Sequence, residues 1–241
     1  MNWLKRLRDW MQTKDAFVGK WVPKSNDLFE QVGRVRDNNA LDAVAKWIIK
    51  NLNLTKKDVV LDVCCGNGLL TKRVAPYVKE IVGVDISEEL IRNAKRYSSG
   101  KNIKYFQRNA LEIGNLFPSN YFDKSYCYLS FQYFDLRSGK KLIEVLSDVT
   151  KANGLILIGD IPNKEIRWIY YNTLNKKIKY IMLSLVNRIL EIGMYMGRWW
   201  DPNEIFNICS ELGLDAKILI QDNTLPDAHF RFDVLILNTK K

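Results

Sequence analysis

The sequence predicts a doubly wound α/β fold: a seven-stranded sheet, parallel except for its last strand, with helices on both faces. Three observations lead there. Short apolar, β-branched runs alternate with helix-period segments along most of the 241 residues. The last two runs are separated by about ten residues, too few for a crossover helix, so they form an antiparallel hairpin. The first run ends in a glycine turn, "DVVLDVCCGNGLLTKRV" at residues 58–74, the punctuation expected between a strand and a helix.

Taken in order, strands are expected at 59–63, 81–85, 103–107, 122–129, 155–160, 217–221 and 232–237. Helical patterns fall at 69–78, 88–97, 139–151 and 202–212. The last of these carries its own start signal. Asp201 caps it, Pro202 suits the first helical position, Glu204 completes a capping box, and Gly213 suits the end. Two pieces lie outside the alternation. Residues 1–38 read as an N-terminal helical extension or lid. Residues 163–198, far longer than a usual connection, read as a helical cap inserted between the fifth and sixth strands. A single domain over 1–241 accommodates both.

Charge placement is more informative than its sum. The chain carries +10, of which residues 1–24 supply +4 and residues 163–198 supply +5. Both segments are rich in aromatic residues or methionine, a pattern suited to an anionic partner. In "NWLKRLRDWM", Trp3, Leu4, Leu7, Trp10 and Met11 share one helical stripe, with the charges facing away. Within residues 1–11 this is either a membrane-interface helix or a helix docked on the protein's own cap. No apolar stretch spans a bilayer: residues 178–196 are interrupted by Lys179, Asn187, Arg188 and Glu191. The N-terminus lacks a secretory hydrophobic core, so the expectation is a cytoplasmic protein. Four cysteines without a C-x-x-C spacing give neither a disulfide framework nor a metal site.

The opening turn sits where doubly wound sheets bind ligands. Gly66 and Gly68 permit close backbone approach, Asp62 ends the first strand, and Asp85 ends the second in "IVGVDIS". A carboxylate at that second position accepts hydrogen bonds from ribose hydroxyls. A nicotinamide dinucleotide would ask for a third glycine where Thr71 stands.

"VLDVCCGNGLLT" and "VGVDIS" resemble the first two motifs of the class I S-adenosylmethionine-dependent methyltransferases, over roughly residues 40–160 and, in topology, the final hairpin. The resemblance implies a Rossmann-like seven-stranded sheet and S-adenosylmethionine as cofactor. It implies that Asp62 and the turn Cys64, Cys65, Gly66, Asn67 and Gly68 surround the methionine part. Asp85 would bind the ribose, and Ile86 would pack on adenine. In "QRNALEI", Asn109 and Ala110 flank adenine, with Asn109 in place of a commoner Asp. Leu129, in "YLSFQYF", borders the methyl group. Cys64 stands where the pattern most often has glycine. The two cysteines are read as small packing side chains, with no thiol chemistry and no metal.

For proton removal from an oxygen acceptor, His229 is the one histidine, placed by topology in the last hairpin loop at the cofactor edge. Arg231 and Asp233 are either an ion pair or substrate-orienting charges. Tyr133 reads as a rim residue. Trp199 and Trp200 either pack the cap or wall the acceptor pocket. The "HFRFDVLI" end and the Trp-Trp segment are similar to bacterial small-molecule and surface-glycan methyltransferases. The resulting expectation is O- or N-methylation of a small-molecule or glycan acceptor, anionic if the basic segments meet it. RNA methylation, suggested by the pI near 9.3, is disfavoured because no RNA-binding module or Asn/Asp-Pro-Pro-Tyr tetrad is visible.

Overall fold

The computed structural model of the protein describes residues 28, 37–190 and 197–240. The expected extension over 1–38, with its apolar stripe, lies almost wholly outside the described residues. The first described helix, α1 (Asn38–Asn51), follows that extension and was not among the expected helices. Asp37 caps it by accepting the Ala40 N–H at 2.8 Å, and Leu41, Val44, Ala45 and Ile48 form its buried stripe.

The remaining elements follow the predicted alternation. They are β1 (Val59–Val63), α2 (Leu69–Val74), β2 (Glu80–Asp85), α3 (Glu88–Tyr97), β3 (Ile103–Gln107) and β4 (Phe122–Tyr128). Then come α4 (Leu136–Val149), β5 (Thr150–Pro162), α5 (Arg167–Tyr170), α6 (Leu174–Leu190), α7 (Pro202–Glu211), β6 (Asp215–Ile220) and β7 (Arg231–Leu237). The capping box of α7 forms as expected, with Asp201 and Glu204 satisfying each other's backbone donors. The α2 helix is shorter than expected: Pro76 converts its end to a 3₁₀ turn. Strand β5 is longer than expected, because it pairs with β4 on one side and β7 on the other.

The sheet order is β3-β2-β1-β4-β5-β7-β6, with β7 alone antiparallel to its neighbours. The reversal at β1 to β4 is the point where such sheets open a crevice at their carboxyl ends. One face carries α4, α7 and a core including Leu61, Val84, Cys127, Leu142, Ile158 and Ile205. The other carries α1 and α2 over Val60, Ile81, Tyr126 and Leu157. The cap contributes α5 and α6. Tyr171, Trp199 and Phe230 form a buried aromatic cluster that seats it beside the start of β7.

Candidate active site

The crevice collects the ends of β1, β2, β4 and β5. Asp85 is buried, and each of its oxygens accepts one backbone donor: Gly66 N–H on Oδ2 and Ser87 N–H on Oδ1, both at 2.9 Å. Burial raises its pKa, against those backbone hydrogen bonds. Each oxygen retains a further lone pair, so the carboxylate is fixed in place and fitted to accept from a diol. This arrangement fits the ribose of S-adenosylmethionine. Gly66 itself lies at φ 57°, the left-handed region that glycine enters without strain.

Asp62 lies one strand over. Its Oδ2 accepts the Thr71 hydroxyl at 2.6 Å, and burial pushes its carboxyl up to about 7. Thr71, the residue that argued against a dinucleotide, thus anchors Asp62. Asn67 is buried and donates through Nδ2 to the Leu28 carbonyl at 2.7 Å. Gly68 has a reason the sequence did not supply. It sits at φ 74°, and an added Cβ would fall 2.3 Å from the Tyr105 hydroxyl, so the missing side chain makes room for Tyr105 as well as for backbone conformation. Ile86 is half-buried beside Asp85, and Ala110 is buried. Asn109 caps the following 3₁₀ turn, its Oδ1 accepting the Leu111 N–H at 3.0 Å.

Cys64 has φ 61°, which explains why glycine is the commoner residue there. Its side chain packs on the α4 face near Cys127, and Cys65 lies on the other face against Ile91 and Tyr105. The Cys64 thiol is pushed up by its hydrogen bond with Cys127 and by burial, and the Cys65 thiol by burial. Both are therefore protonated near neutral pH, which supports a packing role. Replacing Cys64 with Gly relieves a left-handed side chain and removes a packed one. The two effects oppose, so stability should shift by no more than about 1 kcal/mol, with cofactor affinity unchanged. Chemical denaturation and calorimetry check this; a collapse of binding would return the thiol to the site.

Leu129 also lies in the left-handed region, at φ 67°, as does Asp160, at φ 61°. Left-handed non-glycine residues thus sit at or just beyond the carboxyl ends of the adjacent strands β1, β4 and β5, strain of the kind that concentrates at functional sites. Around the last two lies a small recess, with room for about one water, lined by Val44 of α1, Tyr128, Leu129, Asp160, Gln221 and Leu225, among others. Its floor is polar. Arg231 is paired with Asp160 at 2.9 Å, both side chains nearly inaccessible, and also donates to Gln132 Oε1 at 3.2 Å. The partner of Arg231 is thus Asp160, not Asp233. Asp233, fully buried, instead accepts from Trp47 Nε1, Tyr128 OH, Gln221 Nε2 and the Asp160 N–H, at 2.6–3.0 Å. Tyr128 reaches it because Gly159, its cross-strand neighbour, leaves room: a Cβ there would lie 2.0 Å from the ring.

The other expected site residues divide. Trp200 is wholly buried, stacked on Phe131 at 4.7 Å, and serves the core. Trp199 belongs to the aromatic cluster that seats the cap. Tyr133 is half-buried in the 3₁₀ turn after β4. His229 is exposed in the 3₁₀ turn Ala228–Phe230 at the cofactor edge of the sheet, its ring edge-on to Phe230. Sequence reading missed Asp160 and Gln221, and reached Tyr128 and Gln132 only as part of the stretch "YLSFQYF". The available signal was "LILIGDIP", an aspartate inside an otherwise apolar strand.

Comparison with known proteins agrees with this geometry. A family model described as "Methyltransferase domain" matches residues 60–154. The chain is 25% identical over 177 residues to the ubiquinone biosynthesis O-methyltransferase of Paraburkholderia phymatum, covering 70% of this chain and 69% of that protein. It is 29% identical over 117 residues to demethylmenaquinone methyltransferase of Staphylococcus aureus, 46% of each chain. Magnesium protoporphyrin IX methyltransferase of Synechocystis, solved with S-adenosylhomocysteine, superposes with a TM-score of 0.59 over 97% of this chain and 98% of that one, at 15% identity. The strand order with its reversed β7, the anchored Asp85 and these similarities support a class I S-adenosylmethionine-dependent methyltransferase.

Proposed function

We propose that the enzyme methylates a hydroxyl oxygen on an apolar, ring-bearing small molecule. The structural observation that supports this reading is the surface beside Leu129, where a small recess has apolar walls from Val44, Leu129 and Leu225 and a floor of polar groups. The relatives named for O-methylation in ubiquinone biosynthesis support it. Bound S-adenosylmethionine supplies an electrophilic methyl group on a positively charged sulfur. Asp85 holds the ribose hydroxyls, Ile86, Asn109 and Ala110 border the adenine, and Asp62 with the 64–68 turn surrounds the methionine part. Asp62 and Asp85 also place acidic groups beside a cationic cofactor. The surface around Leu129 aligns the acceptor oxygen with the methyl, so positioning supplies much of the rate. As the oxygen gains the methyl it loses its proton, and His229 on the same edge accepts it.

The test is methyl transfer to a panel of phenols, catechols and quinols set against amines and RNA. Hydroxyl methylation should dominate, and His229→Asn should lower kcat by about 10² without altering cofactor affinity. Methylation confined to amines or RNA would overturn the reading; a wild-type rate in the variant would remove His229 alone.

We further propose that the enzyme meets an anionic membrane surface. On α6, Leu174, Ile178, Ile181 and Met182 fall on one stripe and are 47–72% exposed, with Lys177 and Lys179 on the flanks. Outward apolar residues flanked by cations suit an interface of anionic head groups. No helix among the described residues is long and apolar enough to cross a membrane, so contact would be peripheral. Residues 1–11 carry the same pattern in sequence. Co-sedimentation with vesicles containing phosphatidylglycerol should fall as salt rises and drop at least tenfold in an Ile178→Glu, Met182→Glu double variant. Equal pelleting of that variant, or none by wild type at low salt, would refute membrane contact.

A further inference from the structure

Asn67 buries a polar side chain in the middle of the cofactor turn. It stands between Gly66 and Gly68, both in the left-handed region, and is fully buried. A buried amide is costly unless its donors are met. Its Nδ2 finds an acceptor outside the alternation of strands and helices: the Leu28 carbonyl, at 2.7 Å and 39 residues earlier in the chain. That acceptor belongs to the backbone, so the hydrogen bond fixes the path of the chain at residue 28 whatever side chain stands there.

The Leu28 side chain adds a second contact. It is half-buried, and with Ala40 and Leu129 it packs against the buried pair Leu41 of α1 and Leu69 of α2. Leu69 directly follows the 64–68 turn, and Leu129 directly follows β4. Residue 28 is therefore bonded to the turn assigned to the methionine part of the cofactor and packed in the same cluster as the residue assigned to border the methyl group. An apolar contact by itself would need no amide beneath it, since an apolar side chain at position 67 would avoid the desolvation cost. What the amide adds is placement: it holds one point of the chain against the turn between β1 and α2.

We propose that Leu28 is a cofactor-retaining residue. Tethered by Asn67 Nδ2, it walls the methionine end of S-adenosylmethionine beside Leu69 and Leu129, and it parts from Asn67 before the spent cofactor leaves. This rests on the placement of the methionine part at Asp62 and the 64–68 turn given above. It adds a wall from a stretch of chain outside the motifs that carry the resemblance. The contact serves substrate and product forms of the cofactor alike, so it acts on binding and exchange more than on the methyl-transfer step.

The test is a chase of radiolabelled S-adenosylhomocysteine from the full-length enzyme by excess unlabelled ligand, alongside calorimetry. Leu28→Asp places a charge in the apolar contact and should speed release by about tenfold or more. Leu28→Met keeps the contact and should release within about twofold of wild type. Asn67→Ala removes the tether and should also speed release. Combined with Leu28→Asp, it should add less than the product of the two separate effects, because both break one contact. Should Leu28→Asp fold poorly, Leu28→Ala shortens the side chain without adding charge and should speed release about threefold. Wild-type release in Leu28→Asp, or in Leu28→Ala where that variant is used, with binding weakened in Asp85→Ala, would overturn the proposal and leave the cofactor placement standing. Wild-type affinity in Asp85→Ala would overturn the placement and the proposal together.

Discussion

Replacing Asp233 with alanine is expected to destabilise the protein by about 3–5 kcal/mol, the scale for breaking a buried charged network by removing one partner. Four donors converge on this carboxylate: Trp47 Nε1, Tyr128 OH, Gln221 Nε2 and the Asp160 N–H. The residue is fully buried, so water cannot replace it at those donors without entering the core. They belong to α1, β4, β5 and the end of β6, so the loss loosens four elements at once. For a chain of this size the fall corresponds to roughly 10 °C in Tm. Asp233→Asn should cost less, since its carbonyl oxygen still serves two donors while its amide faces the other two. Urea denaturation of the two variants checks this. A change below about 1 kcal/mol in Asp233→Ala would mean that the four donors find other acceptors.

The second large effect is a pH dependence centred on Asp62. Burial raises this carboxyl from 3.8 to about 7, with the Thr71 hydrogen bond acting the other way. In the folded state the group keeps its proton over a range where the unfolded chain releases it. The folded state then binds more protons than the unfolded, so stability falls as pH rises from about 4 to 7 and levels above that. The contribution reaches about 4 kcal/mol across the window, at 1.36 kcal/mol for each pH unit. Burial likewise raises Asp85 and Asp233, which act in the same direction. Asp123 and Asp135 are held below their usual range despite desolvation by hydrogen bonds with Lys151 and Ser138, and their contribution is lost instead as pH falls. The total profile is therefore mixed, and the difference between wild type and Asp62→Asn isolates Asp62. That variant, which keeps an acceptor for Thr71, should gain stability relative to wild type as pH rises from 4.5 to 7. A constant difference across that range would show that Asp62 is already ionised in the fold. The same titration reaches the cofactor: a positively charged ligand beside Asp62 favours the carboxylate, so binding near pH 7 should release protons, measurable by calorimetry in buffers of different ionisation enthalpy.

Much of this was legible along the chain. The alternation of apolar runs and helical stripes placed the strands to within a few residues except for the long β5, because burial on both faces demands continuous Val, Ile and Leu. The short span before the last run required β7 to be reversed. Asp62 and Asp85 were legible as candidate site residues because acidic side chains at the ends of buried strands are expensive unless used. These are local signals, carried by neighbours in sequence. Tertiary structure alone decided the rest. Sequence proximity suggested pairing Arg231 with Asp233, but the bulge in β5 carries Asp160 to Arg231 and leaves Asp233 to four neutral donors from elsewhere in the fold. Gly68 looked like a ligand-facing glycine, and the ring of Tyr105, 37 residues away, shows a second reason for it. Cys64 occupies a left-handed position that only the loop's closure between β1 and α2 imposes. Gln221 carried no sequence signal, since its meaning comes from what β4, β5 and β7 bring against it. Periodicity records which face a residue buries; the identity of its partner depends on strand register and bulges, set by how the whole sheet closes.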